Sequence, residues 1–446
     1  MTVHVPRRLK QLAFATLVLF ALVLPSTAGA SRGEQCSGSS IEGQGTQSQK
    51  QVQEKLISAF NNEEDHSVRA CSGAQGAMLE PKVGYAPTGD LAGLESWGVN
   101  GHAADFSASN AFIATAEPPN SARREEIVAH SSEPHWGSLQ TIPMQQYTVA
   151  IIVNLPTHCK ANNTTQPKGF LVLTNKTLER IWRGQIGDWN EITDSGDVIH
   201  NLADNDCNPN VPITRIVSRG GSGSSWTLEK YLYLIDKEKN VVGSDGWREL
   251  SESPAGAGAE WPGTVTRPSK EGEEAVTDLV DATPGSIAAV ALTPRVEEEF
   301  TGGVTRGAAG EGQQRFIAPI QNNGLGGGAA ATYTRITPNS FGSECRGVSY
   351  TNEGTLGLPP STFSLWNSVT TKTTESGYTI CGLSYILALT KYSEYPGTTE
   401  AEATTVYDYL RFMFSISHGG GLEEFHAGLS TPLLEESRRG VEVIQY

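Results

Sequence analysis

Short continuous apolar runs alternate along the chain with stretches whose apolar residues recur three and four positions apart. The runs read as buried strands and the spaced stretches as amphipathic helices. Val52, Leu56, Ile57 and Phe60 share a helical face that follows a Gly-rich turn, Gly43-Gln44-Gly45, with Thr46 or Ser48 placed to cap it. A second Gly-rich entry precedes Asp90, Leu91 and Leu94, and Ala104–Ala111 reads as a short strand ending in small polar residues. Ile142 to Asn154 ends in an unbroken apolar run, the pattern of a strand covered on both faces, as in parallel sheets. Thr177 to Arg183 reads as a short helix stopped by Gly184. Ile213–Val217, Ser286–Leu292 and Tyr378–Leu389 are further strands. Trp226, Leu228, Tyr231, Leu232 and Ile235 share a helical face; Glu273 opens another helix, and Val406, Tyr409, Leu410 and Met413 lie inward on one from about Glu402 to Ser415. Residues 236–270 read as a polar surface insertion and 301–350 as mostly loop. This alternation implies α/β architecture.

Composition narrows the setting. Residues 1–30 have a basic start, an apolar run from Leu12 to Leu24 and the small-residue site Ala28-Gly29-Ala30, so they are expected to be a signal peptide. The mature protein is then exported, to a periplasmic or extracellular, cell-surface location. Its six cysteines, Cys36, Cys71, Cys159, Cys207, Cys345 and Cys381, are expected to pair as disulfides, nearest-neighbour pairing being the simplest of fifteen connectivities. Trp182 and Trp189 are expected in the core. No Cys-x-x-Cys occurs, and His102, His158 and His418 lack metal-ligand spacing, so neither metal nor cofactor is expected. A net charge of −16 argues against nucleic acid as a partner. It leaves room for a buried anion site, which depends on local donors.

The candidate chemistry centres on Ser218-Arg219-Gly220-Gly221-Ser222-Gly223-Ser224-Ser225, a Gly/Ser turn between a strand and a helix. Such a turn aims backbone N–H groups and hydroxyls out of a helix N-terminus that carries about half a positive charge, which suits an oxyanion. The same turn also serves as an ordinary cap.

Several motifs stand in one order: Ile41-x-Gly-x-Gly-Thr46, Asp105-Phe-Ser-Ala-Ser-Asn110, Ile142-Pro with the strand to Asn154, Thr177-Leu-Glu-Arg-Ile-Trp-Arg-Gly-Gln-Ile-Gly-Asp-Trp-Asn190, and Pro284-Gly-Ser-Ile-Ala-Ala-Val290. Together they resemble the phosphate-binding protein of ABC-type uptake systems, over about residues 39–436. The resemblance implies a type II periplasmic-binding-protein fold with two α/β lobes joined by two hinge crossings, near Gln146–Ile151 and Tyr378–Tyr385. Residues 31–147 and 380–446 would form lobe one, and 148–379 lobe two. It further implies oxyanion ligands at Thr46, Gln47, Asn110, Arg219, Gly221, Ser222, Gly223 and Ser224, a membrane permease as partner, and a monomer.

The departures from that family concern charge. The family's arginine position holds Ser218, with Arg219 one place on; its two aspartate positions hold Gly220 and Asn110. A carboxylate accepts the proton of hydrogen phosphate and repels a fully ionised anion, whereas an asparagine does not discriminate by charge. Asp90 or Leu91 stands where the family has Ser, and Asp90 is expected to cap or to point away from an anion. Two other readings follow from the same residues: a degenerate binding module serving adhesion or sensing, and a secreted phosphoester hydrolase using Ser222 or Ser224. Gly-x-Ser-x-Gly is not met, and no base is assignable to either serine.

Overall fold

The computed structural model describes residues 38–61, 81–156, 159–161, 171–192, 199–200, 211–236, 246–300, 314–322, 332–336, 345, 348–352, 357–371, 377–416 and 428–446. Residues 1–30, expected to be a signal peptide, lie outside them. The main strands are β1 (Ile41–Gly45), β2 (Val83–Ala86), β3 (Phe112–Thr115), β4 (Leu139–Leu155), β5 (Thr214–Ile216), β6 (Ser286–Ala291), β7 (Gln314–Ile317) and β8 (Cys381–Leu389). The helices that matter below are α1 (Lys50–Asn61), α2 (Asp90–Ser96), α3 (Ser121–Val128), α4 (Asn175–Trp182), α5 (Gly223–Ile235), α6 (Trp247–Ser251), α7 (Glu273–Ala282) and α8 (Glu400–Ile416).

These strands form one eight-stranded sheet in the order β2-β1-β3-β8-β4-β6-β5, with β7 also on β4. Both ends are parallel, β1 with β2 and β3, and β5 with β6. The centre is antiparallel, because β4 and β8 pair from Leu139↔Leu389 to Thr148↔Cys381. β4 is buried along all 17 residues, as its apolar run predicts. Its partners β8, β6 and β7 are all antiparallel to it, which corrects the parallel pairing inferred from that run. Burial on both faces comes from helices on either side and does not itself set strand direction.

Two hydrophobic cores flank this centre. One gathers Leu56, Phe60, Leu94, Phe112, Ile142, Met144, Leu387 and the α8 side chains Val406, Tyr409 and Leu410. The other gathers Tyr147, Val149, Ile151, Trp182, Trp189, Leu228, Tyr231, Leu232, Val276 and Ile287. The chain passes between them along β4 at Met144–Tyr147 and along β8 after Ile380. Trp182 and Trp189 are fully buried, as expected of them.

Three further expectations change. The helix read from Thr177 starts earlier, at Asn175, with Thr174 as its cap, whose side chain accepts the Thr177 N–H. Ala104–Ala111 is not a strand; it ends in a 3-10 turn, and the strand is the more apolar Phe112–Thr115 just after it. The 236–270 stretch is not merely a surface insertion: α6 buries Trp247 and Leu250, and Trp261 stacks at 4.8 Å on Trp182. Cys345 and Cys381 form a disulfide, and Cys159 is disulfide-bonded too. Cys36, Cys71 and Cys207 lie outside the described residues. Among the described residues no helix is long and apolar enough to cross a membrane.

Candidate functional site

Four turns meet around a cavity of about 120 Å³. The first follows β1, where the Thr46 hydroxyl accepts the Ser48 N–H at 3.3 Å and starts the run into α1. The second is Gly89, the cap of α2, whose first helical residue is Asp90. The third joins β5 to α5, where the Ser222 hydroxyl accepts the Ser225 N–H at 3.1 Å as the N-cap. The fourth is Glu271-Gly272-Glu273 at the start of α7. Each places the positive end of a helix or helical turn toward the cavity. Thr46, Gln47, Thr88, Ser218, Gly221 and Ser222 supply polar groups to the wall.

The electrostatics of the wall are mixed. Among the described residues that line it are four carboxylates, Asp90, Glu95, Glu271 and Glu273, and no lysine or arginine. Asp90 is buried, and its carboxylate accepts the N–H groups of Ala116 at 2.6 Å and Gly223 at 2.9 Å. It therefore caps the start of α5 and not its own helix, and it lines the cavity, which corrects the expectation that it points away. Glu273 accepts the Ala291 N–H at 3.1 Å and rests on Ser224; burial pushes its carboxyl up to about 7, against the lowering effect of those hydrogen bonds and with a further push from Asp90. The Gln47 side chain spans the cavity edge and accepts the Glu273 N–H at 3.0 Å.

Glycine is required at two points here. A Cβ on Gly223 would lie 2.2 Å from the Ala116 Cβ, so only glycine lets α5 start against the end of β3. Gly272 has φ +99° and faces the Gln47 amide, where a side chain would be both strained and obstructed.

No protein-family model and no curated sequence matches the chain. Solved structures do. A phosphate-binding protein from Stenotrophomonas maltophilia superposes with a TM-score of 0.54 at 14% identity, over 90% of this chain and 93% of its own. A human phosphate-binding apolipoprotein gives 0.53 at 15%, with the same coverage. A high-affinity periplasmic phosphate-binding protein, solved bound with phosphate, gives 0.53 at 14%, again over 90% and 93%. The chain has their fold. At this identity the likeness concerns architecture, and the site must be judged on its own residues.

Of the residues expected to hold an oxyanion, Thr46, Gln47, Gly221 and Ser222 line the cavity. Gly223 and Ser224 adjoin it, with Gly223 N–H directed to Asp90 and Ser224 against Glu273. Asn110 is not brought there. It precedes β3, where its side chain meets Gln44 and donates to Asp105 at 2.6 Å. The cavity opens at the other end of these strands, beyond Gly45 and Ala114, so a residue before β3 is a strand's length away. Arg219 is also turned out, exposed, with its guanidinium donating to the Ser269 carbonyl at 2.7 Å. Arg219→Ala is accordingly expected to change oxyanion affinity less than about twofold in calorimetry, the size of a screened surface charge.

The residues that sequence reasoning missed are Asp90 and Glu273. The only local signal for either was its place just after a glycine at a helix start.

Proposed function

We propose that this protein is an exported solute-binding protein that captures phosphate, or a related small oxyanion, and delivers it to an ABC-type importer. In this reading residues 31–147 and 380–446 form one lobe, 148–379 the other, and β4 and β8 carry the two hinge crossings. A monomer suffices, no cofactor takes part, and no chemistry is performed on the ligand. The observation that carries the reading is the convergence of four helical starts on one cavity of about 120 Å³. Backbone N–H groups and hydroxyls are the donors an oxyanion needs there, and the fold shared with structures described as phosphate-binding proteins supports it.

Calorimetric titration of the mature protein with phosphate, arsenate and sulfate tests it. Saturable one-to-one heat with at least one of them is expected. Absence of heat with all three would remove the uptake reading. It would leave the degenerate module, which one observation favours: the N–H of Gly223 is already occupied by Asp90.

A further inference from the structure

Asp90 does more than cap one helix or line a wall. Its Oδ1 accepts from Ala116 N–H at 2.6 Å, Glu117 N–H at 3.3 Å and the Thr115 hydroxyl at 3.1 Å, all at the end of β3. Its Oδ2 accepts from Gly223 N–H at 2.9 Å, the first residue of α5. α2 and β3 belong to the core around Leu94 and Phe112, whereas α5, together with the Ala116 side chain just past β3, belongs to the core around Leu228 and Tyr231. One carboxylate thus joins elements of both cores, at the place where Gly223 touches Ala116 closely enough to exclude a Cβ.

Those are the groups that an oxyanion would use to draw two lobes together: a helix-start N–H from one side, and a cluster of N–H and hydroxyl donors from the other. Here a side chain of the protein supplies the anion. We propose that the Asp90 carboxylate is a built-in surrogate for the ligand, which holds the two cores together without one and which an entering oxyanion must displace from the Gly223 N–H. The displacement half of this rests on the oxyanion-binding reading above; the bridging half does not. A carboxylate anchored by the Ala116 and Gly223 N–H groups, with the Thr115 hydroxyl and the Glu117 N–H close by, is positioned without further ordering, so it competes at high effective concentration with anything that enters. Affinity for the ligand is then set by this competition as well as by the cradle.

The two halves are measured separately. Small-angle scattering on the mature chain without ligand is expected to give a compact radius of gyration for the wild type, unchanged by phosphate. Asp90→Ala is expected to give a larger one, with circular dichroism verifying that the variant is folded. Asp90→Asn keeps the shape and one carbonyl acceptor but loses the charge, and is expected to fall between the two; it carries the comparison if the alanine variant does not fold. A wild type that contracts on phosphate, or variants as compact as the wild type, would overturn the bridge. For displacement, calorimetry with inorganic phosphate is expected to show Asp90→Ala binding about tenfold more tightly, since a buried like charge has been removed. Equal or weaker binding by the variant overturns that half. If neither protein gives heat with phosphate, the uptake reading fails, while the scattering comparison still decides the bridge.

Discussion

Replacing Arg123 by alanine is expected to lower the unfolding free energy by about 3–5 kcal/mol, the usual cost of breaking a buried ion pair from one side. Arg123, on α3, pairs with Glu117 at 2.5 Å, and the two side chains are 5% and 2% exposed. Its guanidinium also donates to the Ser253 carbonyl at 2.9 Å and the Pro254 carbonyl at 3.3 Å. Glu117 in turn accepts the Ala257 N–H at 3.3 Å. Removing the guanidinium leaves a buried carboxylate with no cation, while the two carbonyls keep the Gly256 N–H and the Asn100 amide as donors. Burial already pushes the Glu117 carboxyl up, against the pull of Arg123. A carboxyl raised in the folded state gives stability that is present at low pH and lost as pH rises through its folded value. The defect in Arg123→Ala should therefore be deeper at pH 8 than at pH 5 in urea unfolding. Adding Glu117→Gln should recover a good part of it and flatten the pH dependence. A loss below about 1 kcal/mol at both pH values would mean that water, rather than Arg123, satisfies Glu117.

That ion pair also shows why part of the molecule was legible in the sequence and part was not. Elements whose signal is local emerged close to their final bounds. The apolar run became β4, and the 3.6-residue pattern at Trp226–Ile235 became α5 with Ser222 as its cap. The helix sought over 402–415 spans Glu400–Ile416. The 253–257 segment carried no such signal. It is a short run of small residues, Ser-Pro-Ala-Gly-Ala, and it is fixed by Arg123 and Glu117, residues 130 and 140 positions upstream. The strand placed at Ala104–Ala111 was displaced by about a strand's length, because its aromatic-then-small pattern resembles a strand end. The continuous Phe112-Ile-Ala-Thr run, closed by Pro118-Pro119, was the better local evidence. Within the site, hydroxyl and glycine positions were readable because a turn requires them locally. The two acids, Asp90 buried and Glu273 half-buried, were not, since acids are seldom buried without partners and the partners here, Gly223 and Ala116 for Asp90, Ala291 for Glu273, lie far away in sequence.

Glu273 makes the second large effect, on binding. Its carboxyl lies at the start of α7 against Ser224, Ala291 N–H and the Asp90 charge, and burial pushes it up to about 7. Below that pH it is neutral and has a proton to donate to an oxyanion at the cavity; above it, a negative charge faces the ligand. Sulfate keeps its own charge across this range, so its titration isolates the protein group. Sulfate affinity is expected to fall about tenfold from pH 6 to pH 8, because an extra proton must be taken up with the anion once Glu273 has ionised. Glu273→Gln keeps the size and a donor while removing the charge, and is expected to bind equally at both pH values, at least as tightly as the wild type at pH 6. A wild type with no slope, or a glutamine variant with the same slope as the wild type, would move the titration to another group. The same shift acts on folding with the same sign. Stability contributed by neutral Glu273 is complete below the ordinary carboxyl value of 4.5 and is lost as pH rises through about 7. An oxyanion that binds only the neutral form should therefore stabilise the protein most at acid pH, so thermal melts with and without sulfate should converge as the pH is raised. Melts that diverge instead would place the ligand away from Glu273 and from the cavity it lines.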